Sequence, residues 1–87
     1  MATVRIYTTP TCPYCHAALG LLRAKKIPFE QVDVWRDPAM RARLVELTGR
    51  STVPQIFIDD RPIGGFTDML ALERRGELDP MLEPSNT

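Results

Sequence analysis

The order of apolar and polar positions along the chain predicts strands and helices in alternation. Residues 4–8 (VRIYT) are rich in β-branched and aromatic side chains and are followed by a Thr-Pro pair, which is typical of a buried strand and its turn. From Pro13 to about Lys26, apolar residues recur at helical spacing. Proline suits the first position of this helix, where its missing N–H costs nothing. The chain therefore begins with a strand and a helix.

The rest of the chain continues the alternation and adds a pair of short strands. Residues 29–35 alternate as a second strand, and residues 38–48 carry an apolar stripe between an Asp-Pro start and a glycine cap. Residues 55–59 and 61–64 predict two strands that are close enough to pair as a hairpin. A last helix is predicted from residue 66 to about residue 76, with an acidic first turn and a basic end.

The resulting order, β-α-β-α-β-β-α, predicts an α/β fold with one four-stranded mixed sheet. The first two strands are expected to be parallel, because a helix joins them by a right-handed crossover. The hairpin then supplies an antiparallel partner, and helices should flank both faces of the sheet. A chain of 87 residues is long enough for a single domain, residues 1–87, with one core.

Composition and charge narrow the classes of function. A hydrophobic content of 44% and a charged content of 25% are ordinary for a globular protein and exclude collagen-like, disordered and membrane classes. Eleven basic and eleven acidic residues are scattered without a basic run, so no nucleic-acid partner is expected. Residues 1–7 contain no signal-peptide stretch, and we therefore expect a cytoplasmic protein. We also expect it to bind no membrane and to act as a monomer. The polar residues 83–87 are expected to form a disordered tail.

The candidate chemistry lies in residues 11–16 (TCPYCH), which hold both cysteines of the chain and its single histidine. Cys12 falls at the end of the loop after the first strand, and Cys15 falls in the first turn of the next helix. Because cytoplasmic thiol pools keep ordinary cysteines reduced, such a pair is expected to bind metal or to cycle chemically rather than to form a structural disulfide.

The two cysteines take different positions at the start of the helix, so their thiols should differ in reactivity. At the N-cap, the sulfur of Cys12 should face the free backbone N–H groups of Tyr14 and Cys15 and the positive end of the helix dipole, which stabilise a thiolate. Cys15 should lie inside the helix, where burial keeps a thiol protonated. We therefore predict that Cys12 attacks and Cys15 resolves. Pro13 starts the helix, and Tyr14 offers an aromatic wall and a hydroxyl.

Other interpretations of the pair are weaker. Residues 12–16 also match a c-type haem attachment site, but such proteins are exported and the surrounding pattern here is α/β. A structural zinc site needs four ligands, so zinc would require a carboxylate or a second subunit to complete the set. A pair of inert cysteines fits poorly with a helix N-terminus, which is the reactive position. His16 is expected to be an exposed helix residue with no role as ligand or base.

Three segments together resemble the small bacterial dithiol glutaredoxins of the thioredoxin fold. They are residues 12–15 (CPYC), 52–58 (TVPQIFI) and 64–68 (GGFTD), and the similarity spans roughly residues 3–82. A thioredoxin would be expected to carry Gly-Pro between its cysteines. The resemblance implies a glutathione-dependent thiol-disulfide oxidoreductase. Its co-substrate is glutathione, its other partners are disulfide-containing or glutathionylated proteins, and no metal is expected.

The resemblance also implies a glutathione site. The bond between Val53 and Pro54 is expected to be cis, which leaves the backbone of Val53 free to pair with the bound tripeptide. Asp68 is expected to pair with the γ-glutamyl ammonium group, and Arg41 with the glycyl carboxylate. The residues that the resemblance assigns to glutathione are Tyr14, Arg41, Thr52, Val53, Pro54, Gly65, Phe66, Thr67 and Asp68.

The chain departs from many relatives at Thr9, where they carry a lysine three residues before the first cysteine. Without that charge, thiolate stabilisation should rest more on the helix terminus, and glutathione affinity is expected to be lower. The resemblance leaves one alternative of another class, a dimer that holds an iron-sulfur cluster through Cys12 and glutathione. The bulky Tyr14 argues against it, since cluster-binding relatives tend to have smaller residues there.

Overall fold

The computed structural model describes residues 3–82, so the predicted disordered tail at 83–87 lies outside the described residues. The α/β prediction is confirmed, and every predicted strand and helix is present. In chain order the elements are β1 (Val4–Thr8), α1 (Pro13–Ala24), β2 (Glu30–Asp33), α2 (Pro38–Thr48), β3 (Gln55–Ile58), β4 (Arg61–Gly64), α3 (Phe66–Arg74) and α4 (Leu78–Leu82). Within this range, no helix is both long and apolar enough to cross a bilayer.

The four strands form one mixed sheet in the order β2-β1-β3-β4. As predicted, β1 and β2 are parallel, while β3 is antiparallel to both β1 and β4. Asp59 and Asp60 turn the hairpin with φ values of 52° and 66°. Two consecutive positive φ values match the twist of the paired strands, and aspartate tolerates them better than most residues. The loop that leads to Cys12 leaves the sheet at the carboxyl end of β1.

Apolar side chains cover both faces of the sheet, because successive residues of β1 and β3 point in opposite directions. Ile6 and Ile56 face one side, in a buried cluster with residues from α1, α3 and α4. Tyr7 and Phe57 face the other side, in a cluster with Leu44 of α2, and their rings meet edge to face with centroids 5.5 Å apart. The two central strands are therefore packed on both sides and form a rigid base for the cysteine loop.

Four predicted elements are shorter in the structure. The last helix ends at Arg74 instead of about residue 76, and the third strand ends at Ile58 instead of residue 59. The first helix ends at Ala24 instead of about residue 26, because Lys26 adopts a left-handed conformation with φ of 58°. The second strand covers Glu30–Asp33 instead of residues 29–35. Its end has a local cause: the carboxylate of Asp33 accepts the amide N–H of Trp35 at 2.8 Å, which turns the chain away from the sheet.

The helix α4 is the element that the sequence interpretation missed. It has five residues with Pro80 among them, too few for a helical period to be visible. The signal was the pair Leu78 and Leu82, four residues apart, and both side chains are buried in the core cluster. Lys25 fixes this helix from outside, with ion pairs of 2.7 Å to Asp79 and 2.8 Å to Glu73.

Replacement of Leu78 by alanine should lower the free energy of unfolding by about 2–5 kcal/mol, because a fully buried side chain leaves a cavity. The matched control is Leu47→Ala, whose side chain is 48% exposed against 0% for Leu78. We expect the control to change stability by no more than about 0.5 kcal/mol. Urea denaturation of the reduced proteins measures both values, and similar stabilities for the two variants would show that α4 contributes little to the core.

Candidate active site

Cys12 occupies the N-cap of α1, as the sequence predicts. Its backbone is extended, with φ of −91° and ψ of 115°, and Pro13 follows at the first helical position. The sulfur of Cys12 accepts the amide N–H of Cys15 at 3.3 Å. A sulfur at this position lies at the positive end of the helix dipole, where a negative charge is stabilised.

Cys15 lies in the first turn of α1 and is 1% exposed. The pKa of its thiol is raised to about 12, chiefly by burial, and the hydrogen bond and charge of Cys12 act in the same direction. The backbone amide of Thr9 lowers the same pKa, but not enough to cancel the effect of burial. Both cysteines are free thiols in the structure. One sulfur is therefore accessible at a helix terminus, and the other is held as a buried neutral thiol.

A cleft opens beside Cys12, with a volume of about 180 Å³. The Cys12 thiol donates to the backbone carbonyl of Val53 at 3.6 Å, which places the sulfur at this wall. The bond between Val53 and Pro54 is cis, as the resemblance implies. The cleft is lined by Tyr14, Arg50, Thr52, Val53, Pro54, Gly65, Phe66, Thr67 and Asp68.

The rings of Tyr14 and Phe66 form an aromatic part of this lining, with centroids 6.5 Å apart. Tyr14 is 60% exposed, more than the other exposed large hydrophobic side chains among the described residues. The cleft therefore combines an accessible apolar surface with the backbone groups of residues 52–54.

The far end of the cleft is charged. The Oδ2 atom of Asp68 accepts the amide N–H of Gly65 at 2.9 Å and a guanidinium N–H of Arg50 at 3.0 Å. The Gly65 amide and, after it, the Arg50 guanidinium hold the pKa of the Asp68 carboxyl below its usual range. Gly64 has a φ of 109°, and a Cβ at this position would overlap the Asp68 carboxyl group. Glycine is thus required here by conformation and by space.

The fold brings together eight of the nine residues that the resemblance assigns to glutathione. Arg41, in the first turn of α2, is not among the residues that line the cleft, and its role stays a prediction. Sequence interpretation missed Arg50, which lines the cleft directly. The sequence feature that could have indicated Arg50 is its position between the glycine cap of α2 and the TVP segment.

His16 is exposed, as predicted, and its Nε2 lies 2.9 Å from the carbonyl oxygen of Pro10. This contact fastens the start of the cysteine loop to α1. Thr9, which stands where the resemblance implies a lysine in many relatives, is buried. Within residues 3–82, no three His, Cys, Asp or Glu side chains are grouped so that they could hold a metal ion.

Comparison with known proteins decides the family. The sequence profile of the glutaredoxins matches residues 4–63 of this chain. The chain belongs to the glutaredoxin family. It is 49% identical to glutaredoxin 3 of Escherichia coli K12, over 95% of this chain and 100% of that protein. It is 45% identical to a glutaredoxin of Pseudomonas aeruginosa, over 94% of this chain and 98% of that protein.

Solved glutaredoxin structures share the fold. The crystal structure of a buckwheat glutaredoxin-glutathione complex superposes with a TM-score of 0.91 at 27% identity, covering 95% of this chain and 78% of that one. The solution structure of glutaredoxin from Brucella melitensis gives 0.86 at 44% identity, covering 100% and 95%. The predicted thioredoxin fold is confirmed, and this glutaredoxin is a thiol-disulfide oxidoreductase.

The raised pKa of Cys15 should survive removal of Cys12, because burial is its largest cause. In the Cys12→Ser glutaredoxin, alkylation of Cys15 by iodoacetamide should therefore have its pH midpoint well above the value of about 8.5 expected for the urea-unfolded chain. The folded state keeps this proton while the unfolded state loses it, so the contribution of Cys15 to stability falls as the pH rises above the unfolded value. Coinciding midpoints for folded and unfolded chains would contradict this assignment.

Proposed function

We propose that this glutaredoxin depends on glutathione and reduces both protein disulfides and glutathione mixed disulfides through Cys12. The observation that carries the proposal is the position of the Cys12 sulfur, 3.6 Å from the Val53 carbonyl at a cleft whose far end holds charged groups. Glutathione has a matching arrangement, with a thiol in its middle and a zwitterionic γ-glutamyl head at one end. The fold shared with a buckwheat glutaredoxin that was solved with glutathione supports the proposal.

The first chemical step is attack by the Cys12 thiolate on the glutathionyl sulfur of a mixed disulfide. A disulfide forms between Cys12 and glutathione, and the substrate thiolate leaves and takes up a proton. A second glutathione thiolate then attacks the glutathionyl sulfur bound to Cys12. This step releases glutathione disulfide and restores the Cys12 thiolate, so electrons and sulfur bonds balance without Cys15.

Cys15 acts in the dithiol route, which a protein disulfide requires. Cys12 attacks the protein disulfide, forms a mixed disulfide and releases the first protein thiol; the Cys15 sulfur then attacks Cys12, closes the intramolecular disulfide and releases the second protein thiol. Two glutathione thiols then reduce the Cys12-Cys15 disulfide and leave as glutathione disulfide. Cys12 itself contributes to the raised pKa of Cys15 through a hydrogen bond and its charge. Both contributions end when Cys12 becomes part of a disulfide, so Cys15 loses its proton more readily once it is needed.

Backbone groups near the cis peptide would hold the middle of glutathione. In the structure, the Val53 carbonyl accepts the Cys12 thiol, but a thiolate has no proton to donate. Ionisation of Cys12 therefore releases this carbonyl for the tripeptide backbone. Thr52 and Pro54 flank it, and the rings of Tyr14 and Phe66 cover the apolar part of the ligand.

The start of α3 would hold the γ-glutamyl head. Amides in the first turn of a helix have no partner within the helix, so those of Phe66 and Thr67 can donate to a carboxylate. Asp68 can pair with the ammonium group. Arg41 would bind the glycyl carboxylate. The monomeric state, the cytoplasmic location and the lower affinity expected from Thr9 stay predictions.

The roles of the two cysteines are separated by their serine variants. Cys12→Ser should abolish reduction of a glutathionylated peptide, because no other accessible sulfur can attack. Cys15→Ser should retain this activity but lose reduction of a protein disulfide, since the second step of that route needs Cys15. Coupling to glutathione reductase and oxidation of its cofactor measures both reactions.

The two substrates serve as each other's control. Equal loss of both activities in Cys15→Ser would overturn the assignment of Cys15 to the dithiol route alone. Activity in Cys12→Ser would overturn Cys12 as the nucleophile. A third outcome would refute dependence on glutathione. In that case the wild-type enzyme would reduce the glutathionylated peptide no faster than the same peptide in a mixed disulfide with cysteine.

A further inference from the structure

Trp35 is the single tryptophan of the chain, and 54% of its side chain is exposed. It follows β2 and lines an open depression of about 280 Å³ together with Asp33, Arg36 and Asp37. Tryptophan is enriched where proteins bind one another, because its rigid ring buries a large area at a small cost in conformational entropy. We call residues 33 and 35–37 the Trp35 surface.

Local hydrogen bonds fix the loop that carries Trp35. Its backbone N–H donates to the Asp33 carboxylate at 2.8 Å. The N–H of the buried Val34 donates to the Thr8 carbonyl at 2.9 Å, and the Val34 carbonyl accepts the N–H of Asp37 at 3.2 Å. The indole is therefore presented by a formed turn, and a partner would not have to order this loop on binding.

The Trp35 surface lies at the same edge of the sheet as the loop that leads to Cys12. β1 and β2 are parallel neighbours in which Thr8 pairs with Asp33, so their carboxyl ends lie side by side. The cleft beside Cys12 lies on the other side of β1, where the loop before β3 contributes Val53. A glutathione bound in that cleft would leave the side of β2 open.

A protein that reaches Cys12 has to cover most of this edge. Protein complexes at the small end of the range bury about 1,200 Å² in total, which on each partner is a circle of roughly 14 Å radius. The four strands, about 4.8 Å apart, span only about 15 Å. The molecule measures 23 Å and 20 Å along its two shorter axes. A contact patch centred on Cys12 therefore extends over the Trp35 surface.

The charges of the Trp35 surface favour a basic side chain on the partner. Asp33 and Asp37 each use Oδ1 to accept a backbone N–H, and within residues 3–82 their Oδ2 atoms accept none. Two carboxylates against the guanidinium of Arg36 leave one net negative charge in the depression. A lysine or arginine can thus meet a carboxylate and lie on the indole face, which attracts cations.

We propose that the Trp35 surface binds the polypeptide of protein substrates and accepts a lysine or arginine side chain that lies close to their reactive cysteine. Protein and glutathione then bind on opposite sides of β1, and Cys12 attacks between them. This inference rests on the proposed function and adds a second binding surface to it.

Three glutathionylated peptides test the inference. They share one sequence, except that the second and third residues on either side of the cysteine are arginine, its uncharged analogue citrulline, or glutamate. The mixed disulfide of glutathione with cysteine is the substrate without a polypeptide. Wild-type enzyme should reduce the arginine peptide fastest. Trp35→Ala should slow that peptide about fivefold, the scale of an exposed cation–π contact, and leave the glutathione-cysteine disulfide unchanged.

Further variants separate recognition from folding. Asp33→Asn combined with Asp37→Asn removes both charges but keeps oxygens that accept the backbone N–H groups. This double variant should slow the arginine peptide and leave the citrulline peptide unchanged. Trp35→Phe should keep part of the rate, since a phenyl ring still attracts cations. Val45→Ala shortens another exposed apolar side chain, on α2, and should change none of the rates.

The fluorescence of Trp35 reports the contact directly, because the chain has no other tryptophan. In the Cys15→Ser enzyme, Cys12 attacks the peptide sulfur of a peptide-thionitrobenzoate disulfide, thionitrobenzoate leaves as a thiolate, and the peptide stays bound to Cys12. Acrylamide should quench Trp35 less in the adduct with the arginine peptide than in the adduct with glutathione. Equal quenching in both adducts would contradict a contact with the polypeptide.

Two kinetic results would overturn the inference. If Trp35→Ala slowed the glutathione-cysteine disulfide as much as the arginine peptide, the loss would lie in the catalytic centre. If all three peptides were slowed equally, the surface would not recognise a basic side chain. The proposed function fails in a different way, since the wild-type enzyme would then show no preference for glutathione over cysteine as the partner of the peptide. The trapped adduct, which needs no glutathione, would still report on Trp35.

Discussion

The function of this protein depends on the way α1 begins. Cys12 is the N-cap residue, so its sulfur takes the place of the side-chain oxygen that usually accepts a hydrogen bond from the first turn. The amide of Cys15 donates to it at 3.3 Å, and the positive end of the helix dipole acts on the same atom. This arrangement joins structure and the proposed reactivity, because the interaction that caps the helix also acts on the sulfur that we propose as the nucleophile.

The same helix turn makes the second sulfur different. Three residues inside α1, Cys15 faces the core, and burial rather than any single partner keeps it protonated. A dithiol enzyme needs this difference, since two equally reactive thiols would leave the order of attack undefined. The packing of α1 against the sheet therefore contributes to chemistry as well as to stability. The neighbouring His16 contacts the Pro10 carbonyl and so fastens the start of the loop to α1.

The cleft is assembled from segments that are distant along the chain. Tyr14 comes from α1, Val53 from the loop before β3, and Asp68 from α3. Its charged end is compact because Gly64 leaves space for the Asp68 carboxylate, and because the Thr48 and Gln55 side chains hold the Arg50 backbone. Gly64, Thr48 and Gln55 do not line the cleft themselves. Each of them controls the position of a group that lines it.

The sequence by itself determined the order of strands and helices, the mixed sheet, and the placement of the cysteine pair at a helix start. Those features follow from local patterns: the period of apolar residues, Pro13 in the first turn, and glycine and aspartate at turns. It also identified three motifs of the site by resemblance. The sequence did not predict the short helix α4, because five residues with an internal proline are too few to show a helical period of apolar positions.

Only the tertiary structure decided how the charged end of the cleft is built. Arg50 and Asp68 are 18 residues apart, and nothing in their local sequence shows that they meet. Their contact depends on the turn after α2, on the buried Gln55, and on the missing side chain at Gly64. The burial of Cys15 was expected from its place inside α1, but its extent is likewise a property of packing. Pairwise contacts and the exclusion of water are set by the folded chain, whereas the helix terminus at Cys12 is set by its neighbours in sequence.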